Sequence, residues 1–161
     1  MRKFATYLPD EAATHALGAA LAHALAPGMT LYLHGELGAG KTTLTRALLH
    51  AAGHTGRVKS PTYTLAEPYA VTLQGHPAEL MHFDLYRLAS PDEFLDAGFR
   101  DHFGGATTCI VEWPEKAGEA LPAPDMHIFL SLKGHGRDVE LLGLSDQGVQ
   151  CIERLHFAPD R

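Results

Sequence analysis

The segment Gly35-Glu36-Leu37-Gly38-Ala39-Gly40-Lys41-Thr42 constrains the fold more than any other stretch of the chain. It matches G-x-x-x-x-G-K-[ST], a pattern that cradles phosphates only where a strand runs into it and a helix leaves it. Both flanks meet that condition. Met29 to His34 reads as a short buried strand. Thr42 to Ala52 reads as a helix, with Leu44, Ala47, Leu48 and Ala51 at helical spacing and Gly53 as its C-terminal signal. Gly38 and Gly40 let the backbone turn its N–H groups inward with no Cβ in the way. The positive end of the helix dipole points at the same spot. Lys41 can reach the outer two phosphates of a nucleoside triphosphate, and the Thr42 hydroxyl can ligate Mg²⁺.

The remaining elements complete an α/β pattern. Leu8-Pro9-Asp10-Glu11 predicts a helix start with Asp10 as cap, and the Ala- and Leu-rich stretch from Ala12 to Ala26 continues it until Pro27-Gly28. After a loop at Val58-Lys59-Ser60-Pro61, Thr62 to Tyr69 and Leu80 to Leu85 read as strands, joined across the turn-rich Gln74-Gly75-His76-Pro77. Ser90-Pro91-Asp92-Glu93 starts another helix, and Thr107 to Glu112 is a further apolar strand. Asp125 to Lys133 and Arg137 to Leu144 read as a hairpin over Gly134-His135-Gly136. Ser145 to Phe157 reads as a helix. With no internal repeat or linker, the expectation is one three-layer α/β/α P-loop NTPase domain over residues 1–161, with a mixed, partly parallel sheet.

Composition narrows the function classes. The chain has 161 residues, of which 45% are hydrophobic, enough for one sizeable core. No apolar run approaches the roughly 20 residues that span a bilayer. The start Met1-Arg2-Lys3-Phe4 leads into polar residues and lacks a signal-peptide core, so a cytoplasmic location is expected. The two cysteines, Cys109 and Cys151, agree with a reducing compartment. The net charge of −6 shows no basic excess, which argues against strong direct nucleic-acid binding but leaves contact through a partner open.

P-loop enzymes also need an acidic residue at the end of a second buried strand, to hold Mg²⁺ through its water shell. Cys109-Ile110-Val111 runs into Glu112, and Met81-His82-Phe83 runs into Asp84. Either placement puts a carboxylate at the ligand-binding edge of an open α/β sheet. The spacing leaves open which one touches metal and which orients water. Ser60-Pro61-Thr62, between the P-loop helix and the next strand, can place a hydroxyl that senses the γ-phosphate, or can be an ordinary strand-entry loop.

Several segments together resemble the TsaE family (also called YjeE). They are Gly35 to Thr43, Ser60-Pro61-Thr62-Tyr63-Thr64-Leu65, His82-Phe83-Asp84-Leu85-Tyr86-Arg87-Leu88 and Val111-Glu112-Trp113-Pro114, with Leu8-Pro9-Asp10-Glu11 and Gly136-Arg137 beside them. The resemblance covers nearly the whole chain, and the H-x-D-L-Y-R and E-W-P segments are its specific part. It implies an ATPase that works with the TsaD–TsaB pair to make N6-threonylcarbamoyladenosine beside the tRNA anticodon, meeting tRNA only through that complex. By position it assigns nucleotide contacts to Leu8, Leu37, Gly38, Ala39, Gly40, Lys41, Thr42, Thr43, Asp84 and Arg137. It gives Mg²⁺ to Thr42 and Glu112, and makes Lys41, Asp84, Glu112 and Thr62 the catalytic set. Two stretches depart slightly from the family pattern: Phe94-Leu95-Asp96-Ala97-Gly98, and the Gln74 to Pro77 turn.

The implied reaction is hydrolysis of ATP to ADP and phosphate, slow in the isolated chain and completed by partners. Arg87 and Arg137 are the internal candidates for an arginine finger, with Arg87 equally readable as an ion-pair partner. Other classes leave different marks. A small-molecule kinase usually carries an Arg-rich lid, and no Arg cluster is present. A GTPase reads guanine with Asn-Lys-x-Asp, and the chain contains no asparagine. A non-catalytic nucleotide-gated binding module would survive loss of Asp84. Among the eleven histidines, His50 and His54 stand at i, i+4 but have no further ligands nearby in sequence. His82 either orients Asp84 or satisfies a buried polar contact. Trp113 either faces a partner or packs beneath the loop.

Overall fold

The glycine-rich loop from Gly35 to Gly40 is placed by the central strand of a seven-stranded sheet. In the computed structural model, which describes residues 1–157, the strands are β1 (Arg2–Leu8), β2 (Thr30–His34), β3 (Ala66–Leu73), β4 (His76–Asp84), β5 (Thr108–Glu112), β6 (Met126–Lys133) and β7 (Gly136–Gly143). Their order is β1-β7-β6-β2-β5-β4-β3. The four strands β6, β2, β5 and β4 run parallel, and antiparallel β7, β1 and β3 extend the two sides. Because β2, β5 and β4 are parallel, His34, Glu112 and Asp84 end on one edge of the sheet. That edge is where ligands of open α/β sheets bind.

The first core covers one face. Helix α1 (Glu11–Ala24) packs on α2 (Lys41–Ala51), and α4 (Asp146–Glu153) packs on β7 and β1. Leu17, Leu21, Leu31, Leu33, Leu48, Ile110 and Ile128 are buried between these helices and the sheet. The close approach of α1 and α2 depends on Gly18, where a Cβ would lie 2.7 Å from the Ala47 Cβ. On the opposite face, α3 (Pro91–Asp96) and short 3-10 turns at Phe99–His102, Pro114–Lys116 and Gly118–Ala120 cover β4 and β5. Phe83, Phe94, Phe99 and Phe103 meet there ring to ring, 5.2–6.2 Å apart. The three-layer α/β expectation therefore holds, with an outer layer made of one short helix and turns on this side.

Local signals explain most boundaries. Asp10 caps α1 by accepting from the Ala13 N–H at 2.9 Å, and Ser90 caps α3 with Pro91 in its first turn. The β3–β4 hairpin turns on Gln74 (φ 51°) and Gly75 (φ 76°), the two positive φ values a tight primed turn needs. Five points differ from the sequence-based expectation. Residues 2–8 form an edge strand that the sequence reading left unassigned. The strand expected over Thr62–Tyr69 starts four residues later, at Ala66, because the chain first turns through Pro61–Leu65, where the Leu65 N–H donates to the Pro61 carbonyl. Its partner begins at His76 rather than Leu80. The helix expected over Ser145–Phe157 spans only Asp146–Glu153, and α1 ends at Ala24, two residues before the expected boundary.

Candidate functional site

The loop from Gly35 to Gly40 takes the conformations its glycines permit. Gly35, Gly38 and Gly40 have φ of 156°, 82° and 104°. At Gly35 a Cβ would sit 2.6 Å from the Leu130 carbonyl oxygen. Gly40 stands at the N-cap of α2 without a side-chain cap, and no acidic residue lies in the first turn. The orphan N–H groups and the positive end of the dipole thus face the mouth of the loop, a setting that suits an anion.

Arg137, on β7, braces this loop from the side. Its Nε donates to the Ala39 carbonyl at 3.0 Å, Nη2 to Gly38 at 3.1 Å and Nη1 to Gly136 at 3.0 Å. All three guanidinium nitrogens thereby donate to backbone carbonyls, a role that spacing did not suggest. Leu8 is fully buried at the end of β1. It lines a cavity of about 230 Å³ together with Asp10, Thr14, Gly40, Thr43 and Arg137. This cavity adjoins the phosphate loop on the side away from Asp84.

A larger cavity of about 490 Å³ brings together Leu37, Gly38, Ala39, Gly40, Lys41, Thr42, Thr43, Thr62, Asp84, Glu112 and Arg137. Every sequence-assigned site residue except Leu8 therefore meets at one place. Lys41 is only 5% exposed. Its Nζ donates to the Gly35 carbonyl and lies 3.9 Å from the centre of the Trp113 ring. Among the described residues no carboxylate pairs with it directly. Burial pushes its pKa below the ordinary lysine value, opposed by Glu112, Asp84 and Glu115.

The two acids are treated differently by their surroundings. They are direct neighbours across β4 and β5. Glu112, 2% exposed, places Oε1 and Oε2 3.5 and 3.3 Å from the Thr42 hydroxyl. His82 Nε2 lies 2.6 Å from Oε2 of the same carboxylate. Of the two roles open to His82, the structure gives the buried polar contact, since its partner is Glu112 and not Asp84. Asp84 accepts the Tyr86 N–H through Oδ1 at 3.1 Å, and burial raises its pKa above the ordinary aspartate value while that bond opposes the rise.

The surrounding loops form the rim. Ser60 and Thr62 hydroxyls lie 2.7 Å apart on the exposed turn after α2. Leu65 closes that turn with φ of 69°, an uncommon backbone state for a branched residue, and its carbonyl accepts the Asp84 N–H at 3.0 Å. Arg87 lies over the Tyr63 ring at 4.8 Å, so its partner is an aromatic face instead of a carboxylate. Trp113 takes φ of 58°, and its ring meets Lys41 on one side and Tyr86 at 5.0 Å.

A Mg²⁺–triphosphate group fits these residues. The uncapped helix start and the unpaired Lys41 ammonium supply positive charge, and the Thr42 hydroxyl beside the Glu112 carboxylate is a hard-oxygen donor pair. His50 and His54 hydrogen-bond the carbonyls of Gly56 and Arg57, and no group of three or more metal-ligating side chains is found among the described residues. No helix of the described residues is long and apolar enough to cross a membrane.

Comparisons with known proteins give the family and the fold. The sequence profile described as "Threonylcarbamoyl adenosine biosynthesis protein TsaE" matches residues 8–139. The tRNA threonylcarbamoyladenosine biosynthesis protein TsaE of Haemophilus influenzae is 40% identical, over 94% of this chain and 97% of its own length. Its Bacillus subtilis namesake is 36% identical, over 95% and 92%. The crystal structure of Bacillus subtilis YdiB superimposes with a TM-score of 0.73 at 27% identity, covering 95% of this chain and 94% of that one. By profile, sequence and fold alike, the chain belongs to the TsaE family of threonylcarbamoyl adenosine biosynthesis proteins.

Proposed function

We propose that this protein is a Mg²⁺-dependent ATPase that acts with the TsaD–TsaB pair in threonylcarbamoyladenosine modification of tRNA. The observation that carries the reading is the meeting of Lys41, Thr42, Asp84 and Glu112 around an uncapped helix start. The names of the relatives supply the tRNA pathway.

Catalysis of phosphoryl transfer to water is mostly positioning and charge neutralisation. The loop amides and Lys41 hold the outer phosphates, which requires Lys41 to leave the Gly35 carbonyl. Thr42 and Glu112 would hold Mg²⁺, which would supply charge neutralisation at the phosphate oxygens. Asp84 orients the attacking water. Its Oδ1 is fixed by the Tyr86 N–H, and its Oδ2 makes no hydrogen bond among the described residues. The cavity beside Leu8 lies where the nucleoside would leave the phosphate loop.

Among the described residues, both arginines that line the site are already engaged. Arg137 is committed to loop carbonyls and Arg87 to Tyr63. A partner that supplies or redirects a cation for the transition state would accelerate turnover, by analogy with trans-acting arginine fingers. Phosphate release from ATP, measured with and without TsaD–TsaB, tests the proposal. Slow hydrolysis alone and faster hydrolysis with the pair are expected. Equal rates would contradict the partner role. Transfer of the γ-phosphate to a small molecule would favour a kinase, GTP preference a GTPase, and ATP-dependent association without phosphate release a binding module.

A further inference from the structure

We propose that His82 is a positioning residue for the metal site. It fixes the rotation of the Glu112 carboxylate beside Thr42 and so leaves Oε1 as the oxygen that would be available to the metal. The inference rests on the nucleotide-site reading given above and adds a residue to it.

The geometry begins in the sheet. Side chains alternate along β4, so His82 and Asp84 share a face. Asp84 is paired directly with Glu112 on β5, which puts all three on the face covered by α2. His82 stands one pleat behind Asp84. From there its imidazole reaches forward to Glu112, with Nε2 2.6 Å from Oε2. An ionised carboxylate only accepts, so Nε2 carries the proton in this bond.

The terminal torsion of a glutamate has broad wells, and its carboxylate swivels unless a donor pins it. Here Oε2 is pinned by His82. Both oxygens approach the Thr42 hydroxyl, Oε2 at 3.3 Å and Oε1 at 3.5 Å, and only Oε1 has no second donor among the described residues. The result is a carboxylate held with both oxygens within 3.5 Å of the Thr42 hydroxyl, of which Oε1 would remain available to a metal or its water shell. Hydrogen-bonded outer partners orient metal-ligating carboxylates in this way, and their loss commonly costs about 10- to 100-fold in metal affinity.

A second feature argues against simple filling of the core. His82 is fully buried, and its Nδ1 has no hydrogen-bond partner among the described residues. Burying an unpaired ring nitrogen is unfavourable. An apolar side chain of similar size would avoid that penalty and still fill the space between β4 and α2. What an apolar side chain cannot supply is an N–H at the reach of Glu112.

The test uses the full chain and Mn²⁺ as a spectroscopic stand-in for Mg²⁺, with a non-hydrolysable ATP analogue. Electron paramagnetic resonance gives the Mn²⁺ affinity of the complex without reference to turnover. In His82→Phe the Mn²⁺ affinity should fall about tenfold or more, while metal-free binding of the nucleotide stays within about twofold. His82→Gln, whose amide N–H reaches the Nε2 position, should restore most of the affinity. His82→Asn, whose amide stops short, should not. In turnover assays the defect should appear as a higher Mg²⁺ requirement, with the rate at saturating Mg²⁺ largely preserved. Should His82→Phe fail to fold, the Gln–Asn contrast decides alone. Equal Mn²⁺ affinity in Gln and Asn, or unchanged affinity in a folded Phe variant, overturns the inference but leaves the nucleotide-site reading standing. Failure of the wild-type complex to bind Mn²⁺ at all overturns both.

Discussion

The Lys41 ammonium rests 3.9 Å from the centre of the Trp113 ring and donates to the Gly35 carbonyl. The lysine that the proposal assigns to the phosphates is thus held by an aromatic face and by its own loop. Trp113 is the only tryptophan in the chain, so its fluorescence reports this contact directly. Titration with Mg²⁺–ATP should draw Lys41 away from the ring and change the emission in a saturable way. Lys41→Ala should abolish the response and lower ATP turnover by on the order of 100-fold. An unchanged fluorescence titration in Lys41→Ala would show that the indole reports something else.

The three bonds from Arg137 to Gly38, Ala39 and Gly136 predict a loop-bracing role. Arg137→Ala should weaken nucleotide binding about tenfold and speed hydrogen exchange of the Gly38–Gly40 amides in the free protein. Arg137→Lys should recover little, because one ammonium cannot reproduce a planar fork that spans several carbonyls. If exchange stays slow while binding weakens, Arg137 touches the nucleotide itself.

Much of this site is legible from residue types alone. The strand–loop–helix context marks Gly35 to Thr42, and the strand-end acids mark Asp84 and Glu112. What the sequence does not show are contacts between side chains far apart along the chain. His82 and Glu112 stand thirty residues apart, and only the β4–β5 register brings them together. Arg137 reaches the loop from 98 and 99 residues away. The missed edge strand, Arg2–Leu8, has a similar cause. Phe4, Thr6 and Leu8 do alternate inward, but the partner strand lies at the other end of the chain. The Pro61–Leu65 turn was hidden because Thr62, Tyr63 and Thr64 all favour strands, and a hydrogen bond from Leu65 to Pro61 overrides that preference.

The His34–His127 pair predicts an acid-side loss of stability. The rings share a 2.7 Å bond between His34 Nε2 and His127 Nδ1, and His34 also stacks on Phe129. Burial lowers both pKa values from the ordinary 6.5, and His127 lowers that of His34 further. The unfolded chain therefore binds more protons than the folded one just below pH 6.5, so stability rises with pH in that window. Full stability is expected above pH 6.5, with loss as the pH falls through the depressed folded values. Denaturant melts between pH 7.5 and 5 should show this slope, and His34→Gln combined with His127→Gln should flatten it. An identical slope in the double variant would assign it to other histidines.

Gly148, in the first turn of α4, lies where a Cβ would come within 1.9 Å of the Asp125 carbonyl oxygen. Gly148→Ala must push α4 away from the start of β6. Urea unfolding should register a loss of about 3 kcal/mol. Nucleotide affinity should change little, since α4 lines neither of the two cavities at the phosphate loop. A neutral Gly148→Ala would mean that α4 is far more loosely seated than its packing indicates.

The central claim is that a Mg²⁺–ATP site built on Lys41 and Glu112 serves the modification of tRNA. Threonylcarbamoyladenosine content of tRNA, measured in cells depleted of their own TsaE and supplied with this protein, tests it most directly. Wild type should restore the modified nucleoside. Lys41→Ala and Glu112→Gln, present at equal levels as folded protein, should leave it depleted. Full restoration by Lys41→Ala would contradict the account.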